Sequence, residues 1–394
     1  MEPRDSRDVF VPRASKKMRL DALGRRTDIT NRGLPIMSST QAMETHQQLT
    51  RNIPKRMDDN VTNNKRSPFP NDAYQVGWIS ALPVELAAAR GMLDAEHGNP
   101  QTLPQKRDTN SYVLGQIHNH KVVIACLPRG EVGVIPAALV AHNMMWTFPN
   151  IRFCLIVGIG AGIPRCSGNE DDDPDDDEEE DVHLGDVVIG SDKKTGGVVA
   201  YNFGKKLADG SFEVAYHLDQ PPRVLRTALA NLEATHEFRD NLIPKYIDQM
   251  LVKLPGEMRS MWMHPGLEKD ILFPPDYLHL GGTTCKNCDQ GRAVRKALDK
   301  REDDIPVIHY GVIATGSEVV RHAPTRDQIR SNHNAICLEM GAAGLMNNFP
   351  CLVIRGISNY ADSHKNDRWQ RYAAAAAAAC AKELLSVVLP LEVD

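Results

Sequence analysis

The chain lacks any uninterrupted apolar run near the roughly eighteen residues that a membrane-spanning helix needs, which argues against a helical span. Its first residues, MEPRDSRDVF, lack the apolar core of a secretory leader. An excess of one charge is missing too. With 46 Lys and Arg against 51 Asp and Glu, the net charge of −5 is too mild and too evenly spread to predict a nucleic-acid partner. Internal repeats are absent. Disulfide spacing is not evident: the eight cysteines mostly sit in apolar runs such as FCLIVG, which suits reduced core thiols. The alanine run Ala373 to Ala379 is too weakly hydrophobic to span a bilayer and reads as part of a final helix. What remains is a 394-residue chain of 42% hydrophobic residues, enough for a large core. The expectation is a soluble, cytoplasmic protein with no membrane association.

Two stretches should not fold. Residues 1–70 are polar and aperiodic, with 14 Lys/Arg against 8 Asp/Glu, and read as a disordered basic arm. Within it SKKMRLDALGRR is a loose two-cluster basic motif, either a nuclear address or, more plainly, a solvated tail. EDDDPDDDEEED, in which only Pro174 is uncharged, reads as an acidic loop insertion at 166–182. The rest, 71–394, reads as one domain. YQVGWISAL is a strand, and Pro83 opens a helix. SYVLGQIHNHKVVIACL is a hairpin turning at His118 to His120. A helix over Val134 to Trp146 precedes buried strands in FCLIVGIG, GDVVIGSD and TGGVVAYN. The region 222–300 is expected to be mostly helical, including PRVLRTALANLEA and GRAVRKALDKR. VIHYGVIATG is a strand, Ile336 to Leu345 a short amphipathic helix, CLVI a core strand and Trp369 to Leu389 the closing helix. Strands alternating with helices imply an α/β fold around a mainly parallel sheet.

The turn after CLVI presents Arg355, Ser358, Asn359, Tyr360 and Asp362 within eight residues, at the end of a strand where open α/β sheets bind ligands. The run ICLEMGAAGLMNNFPCLVIRGISNYADSHKN resembles the hallmark E-M-E-A-A, strand and S-D of the purine nucleoside phosphorylase and methylthioadenosine/adenosylhomocysteine nucleosidase superfamily. Its YADSHKN tail resembles the fungal branch, whose members often sit beside immune-receptor modules. The resemblance runs from Tyr74 to Leu389. It implies a three-layer α/β/α sandwich with a central mixed, mainly parallel sheet, no organic cofactor, and assembly into homo-oligomers.

The resemblance also implies roles for particular residues. Glu85, in ISALPVEL, matches the glutamate that activates water in nucleosidases; taken alone it is an ordinary first-turn carboxylate. VGIGAGIP matches the glycine-rich turn, so Gly158, Gly160 and Gly162 would let backbone approach the nucleophile. Phosphorylases carry an Arg and a Ser where this chain has Ile156 and Ile159, which favours hydrolysis; Arg129 could supply a charge from a neighbouring loop. Val319 and Val320 in ATGSEVVRH, and Phe203 in YNFGKK, would wall the purine pocket, or be plain core residues. Glu339 and Met340 match the E-M pair, with Met340 against the ribose, and Ser358 the S of S-D. Two acids are missing. Gly341 replaces the glutamate that chelates the ribose hydroxyls, and Asn359 the aspartate that assists departure of the base. Asp362 is a candidate substitute acid.

The expected function is therefore a purine nucleoside or nucleotide N-glycosidase using water activated by Glu85. One alternative is a catalytically impaired nucleoside-binding or scaffold protein, because of Gly341 and Asn359; another is a phosphorylase. His279, Cys285 and Cys288 offer a single C-x-x-C with one upstream histidine and no second pair. They read as a polar surface turn, and no metal is expected.

Overall fold

A ten-stranded mixed sheet carries the fold. In this computed structural model the described residues are 65–102, 108–165, 181–208, 212–214, 217–296, 301 and 303–390. All lie in one unit, Thr62–Asp394. The basic arm through residue 64, with its candidate nuclear motif, and the acidic insertion over 166–180 fall outside them. Residues 65–70, expected to belong to the arm, instead join the fold. Ser67 is buried and its hydroxyl pairs with the Tyr74 hydroxyl at 2.8 Å.

The strands are β1 (Val76–Ser80), β2 (Ala95–Glu96), β3 (Tyr112–Ile117), β4 (His120–Cys126), β5 (Phe153–Gly162), β6 (Val187–Gly190), β7 (Val198–Ala200), β8 (Ile308–Thr315), β9 (Ala335–Glu339) and β10 (Cys351–Asn359). Their order is β9-β8-β6-β10-β5-β1-β4-β3-β2, with β7 beside β8. Every residue of β1, β6 and β10 is buried, as suits strands covered on both faces. The α/β class and the mixed, mainly parallel sheet agree with the sequence reading. The sheet also closes on itself: β9 turns back to pair antiparallel with β5 through Cys337 and Leu338 opposite Gly162 and Ala161. Strands β5, β10, β6, β8 and β9 thereby form a five-stranded ring.

The principal helices are α1 (Pro83–Met92), α2 (Val134–Thr147), α3 (Arg223–His236), α4 (Ile243–Lys253), α5 (Ala323–His333) and α6 (Gln370–Val387). None of the described helices is long and apolar enough to cross a membrane. In α6 every residue from Tyr372 to Leu385 is buried. Alanine makes this possible, because small side chains let the helix backbone approach β10 and α1. A Cβ on Gly356 of β10 would overlap the Ala373 carbonyl, so this contact requires glycine there.

Two expected helices are not seen among the described residues. Residues 335–339 form β9, because Ile336, Cys337 and Leu338 are a short apolar run that two strands cover, and only Ala342–Gly344 turns as a 3-10 helix. GRAVRKALDKR does not continue the helical region either: Gln290–Arg292 is a 3-10 turn and Arg295–Lys296 pairs with Ile271–Leu272. Helical periodicity over so few turns did not outweigh strand partners supplied by distant sequence.

One buried charge fastens the ring. Asp186 has no exposed surface and accepts two bonds from Arg301, at 2.8 and 2.7 Å, and one from His309 Nε2 at 3.0 Å. It also accepts the backbone N–H groups of His183 and Val307. Burial pushes its carboxyl up, but His309 and Arg301 outweigh that and leave it below the ordinary aspartate range. A depressed carboxyl contributes stability above its unfolded value and loses it as pH falls through the folded one. Asp186→Asn removes the charge that two Arg301 bonds and His309 share in the interior and is expected to cost about 3–5 kcal/mol, read by urea unfolding at neutral pH. A loss under about 1 kcal/mol would show the ion pair to be energetically idle.

Candidate active site

A cleft of ≈ 220 Å³ opens where β1, β5, β8, β9 and β10 present their ends and adjoining loops. Glu85 reaches it from the first turn of α1. Pro83 fixes the start of that helix, and the Glu85 side chain turns back so that Oε2 accepts the N–H groups of Ala81 and Leu82 at 2.7 and 2.9 Å. Oε1 accepts the Ile159 N–H of β5 at 2.8 Å. The carboxylate is thus aimed by backbone from two elements and is 3% exposed. Burial pushes its carboxyl above the ordinary glutamate range; Arg355 and the three N–H groups pull the other way without cancelling the rise.

Arg355 stands beside it on β10, 3% exposed. Its Nη2 donates to Glu339 Oε2 at 2.6 Å, and its charge also acts on Glu85. Glu339 spends its other capacity locally, accepting Gly341 N–H at 2.9 Å and Ala342 N–H at 3.0 Å. The floor of the cleft is therefore a glutamate–arginine–glutamate row with one excess negative charge. Gly158 makes the row possible, since a Cβ there would run into both the Glu85 carboxylate and the Arg355 guanidinium. The sequence reading places Arg355 only among the polar residues of a turn. Its signal is stronger than that: a cation inside CLVIRGIS, a strand otherwise without charge.

Most of the sequence candidates converge. Glu85, Gly160, Val319, Val320, Glu339, Met340, Gly341, Ser358 and Asn359 all line this cleft, as do Ile156 and Ile159. Ser358 Oγ donates to the Gly160 carbonyl at 3.1 Å, and Asn359 Nδ2 donates to Ser358 Oγ at 3.0 Å. The Asn359 carbonyl oxygen accepts Ala361 N–H at 3.1 Å. One Nδ2 hydrogen is thereby left for another acceptor.

Others do not converge. Gly158 lies behind the carboxylate and Gly162 at the seam with β9. Phe203 is 53% exposed and outside the lining. Tyr201, two residues earlier, takes the place expected for it. Its hydroxyl has no partner among the described residues, and burial together with Glu318 and Glu339 pushes it up to about 12, so it remains a neutral donor. Arg129 is exposed and outside the lining, so it supplies no charge here. Asp362 faces a neighbouring cleft, accepts the His364 N–H at 3.0 Å, and is raised by burial. It does not line the cleft that holds Glu85.

Residues 278–389 match the family model described as the phosphorylase superfamily. The chain is 41% identical over 327 residues to a nucleotide-binding leucine-rich repeat (NLR)-like protein of Hyaloscypha variabilis. That alignment covers 83% of this chain but 30% of the relative, so the chain spans less than a third of that relative's length. It is 25% identical over 325 residues to a 5'-methylthioadenosine/S-adenosylhomocysteine nucleosidase of Mycobacterium bovis, covering 80% of this chain and 97% of the nucleosidase. Among solved structures, the futalosine hydrolase of Helicobacter pylori aligns with a TM-score of 0.48 and 14% identity, over 80% of this chain and 98% of that one.

Proposed function

We propose that this chain, of which residues 278–389 match the phosphorylase superfamily, hydrolyses the N-glycosidic bond of a purine nucleoside or nucleotide. The observation that carries this reading is Glu85, a buried carboxylate held by three backbone N–H groups at the floor of a cleft lined by Ile156 and Ile159. Its anionic form can take a proton from water as the water oxygen attacks the anomeric carbon. The glycosidic electron pair passes to the base nitrogen. Asn359 Nδ2–H offers that base a hydrogen bond but no proton, so the departing base must be protonated from solvent. Met340 packs against the sugar, and Val319, Val320 and Tyr201 wall the base.

Phosphate is a poor fit as the nucleophile. The two glutamates outweigh Arg355, and a dianion meeting this floor would be repelled. A second reading rests on Gly341, where the nearest atoms to an added Cβ are 3.8 Å away and no side chain occupies the space. It is a binding protein whose site has lost its hold on the ribose. Homo-oligomers fit either reading: Ile135, Leu139 and Trp146 form an exposed apolar stripe on α2, near the Val132 and Gly133 that line the cleft.

Chromatography of free adenine and hypoxanthine released from a nucleoside and nucleotide panel decides between them. Release without added phosphate, falling at least about 100-fold in Glu85→Gln, is the expected result. Calorimetric binding with no release from any member would replace hydrolysis by the binding reading, and release strictly dependent on phosphate would overturn both.

A further inference from the structure

Between β-paired Ile271–Leu272 and Arg295–Lys296 the backbone has only two 3-10 turns, Cys285–Asn287 and Gln290–Arg292. Little apolar burial holds it, since Leu278 and Leu280 are 65% and 61% exposed. Yet this segment brings His279, Cys285 and Cys288 to His364, which lies on the loop following β10. The four ligand-type atoms all lie within 4.8 Å of one another.

Two separations already match those of a coordinated metal. Cys285 Sγ and Cys288 Sγ stand 3.6 and 3.8 Å from His364 Nδ1. Ligand atoms around tetrahedral zinc, with Zn–S near 2.3 Å and Zn–N near 2.0 Å, are separated by about 3.3–3.8 Å. His364 is already set in the tautomer such a site needs: Nε2–H donates to the Tyr277 carbonyl at 2.8 Å, which leaves the Nδ1 lone pair facing the thiols. Its ring is stacked on Phe273 at 4.2 Å and 22°. His279 meets that ring edge-on at 5.4 Å, and its own backbone N–H is fixed by the Ser363 hydroxyl at 3.0 Å; its Nδ1 accepts the Gly281 N–H at 3.1 Å and its Nε2–H donates to the Thr284 carbonyl at 3.2 Å, so one of these two bonds gives way when it ligates. Cys288 and His364 are 6% and 7% exposed, so the centre of the cluster is shielded from water.

We propose that His279, Cys285, Cys288 and His364 bind one zinc ion as a closed tetrahedral site. Binding displaces the two thiol protons, and the two thiolates neutralise the dication, so the half-buried site carries no net charge. With four protein ligands it has no open position and activates no water. Its work is mechanical: it staples an irregular loop to the segment 359–366, whose Asn359 and Lys365 line the candidate active site from the other side.

The test uses the full chain, purified anaerobically with a thiol reductant. Elemental analysis is expected to give about one zinc per chain. Exchange with cobalt(II) should produce the intense visible bands of a tetrahedral site and near-ultraviolet thiolate charge transfer. Cys288→Ser and His364→Ala should each bind cobalt at least about 100-fold more weakly. Should those variants fail to fold, thiol alkylation of the wild type decides: Cys285 and Cys288 should be protected until a chelator is added. A metal-free protein whose cobalt spectrum lacks thiolate charge transfer would overturn the proposal. So would a Cys285–Cys288 disulfide in the reduced preparation, or alkylation indifferent to chelator.

Discussion

Gly341→Glu combined with Asn359→Asp is expected to raise base release by about 10²- to 10³-fold over wild type, because it returns two charges to places the fold has kept open. Gly341 has a negative φ, −141°, outside the left-handed region that would demand glycine. A Cβ there meets only Ala137 Cβ and Glu339 Oε2, each at 3.8 Å. The neighbouring Glu339 is already matched by Arg355 and two backbone donors, so it opposes a second glutamate weakly. A charged acceptor on ribose hydroxyls in a dry site is worth roughly 2–4 kcal/mol. At 359 the residue is 7% exposed. Burial will favour the protonated aspartic acid, which can then hand the base the proton that asparagine cannot. Steady-state release from wild type and double variant is the measurement. No increase in a folded double variant would mean that position 341 does not face the sugar, and the proposed substrate orientation would fall.

Arg355→Met should be the most damaging single change. It leaves Glu85 and Glu339 in the interior without their shared cation, a situation that costs about 3–5 kcal/mol. Catalysis should fall by about 100-fold or more, since the base loses the partner that keeps it ionised. The direction of the pH effect follows from the same contact. Arg355 lowers a carboxyl that burial raises, so its removal lets Glu85 rise further. Activity requires ionised Glu85 and is lost as pH falls through that value. The acid limb of kcat/KM should therefore move to higher pH in the variant, while Arg355→Lys, retaining charge but not the fork, should move it less. An unshifted acid limb would assign that limb to another group.

Sequence and structure agree best where a feature is local. Pro83 followed by Glu85, the hairpin through His118 and Asn119, and the all-buried strands were legible because each depends on a few adjacent residues. They disagree where distant chain decides. Ile336 to Leu338 become a strand because β5 and β8 offer partners on both sides, which no window of that sequence contains. Tyr201, and not Phe203, reaches the cleft because a turn after β7 points the later ring outward. The C-x-x-C looked incomplete because its fourth partner, His364, sits far along the chain inside a motif already claimed for the active site. The role of Arg355 is legible in principle, since a cation in a buried strand demands an anion, and Glu85 and Glu339 are the candidates the sequence offers.

The packing of α6 against α1 sets an order of events during synthesis. The helix that completes the interior is encoded last among the described elements, while α1, against which it packs, is encoded near the start. At roughly 5–20 residues per second, the ribosome needs on the order of tens of seconds to travel from one to the other. Through that interval the face of α1 that α6 covers stays open, and the ring of strands cannot close until β9 and β10 have been made. The nascent domain is thus a natural client for chaperones until the alanine-rich helix clears the exit tunnel, and truncation within α6 should leave an insoluble chain instead of a weakened enzyme.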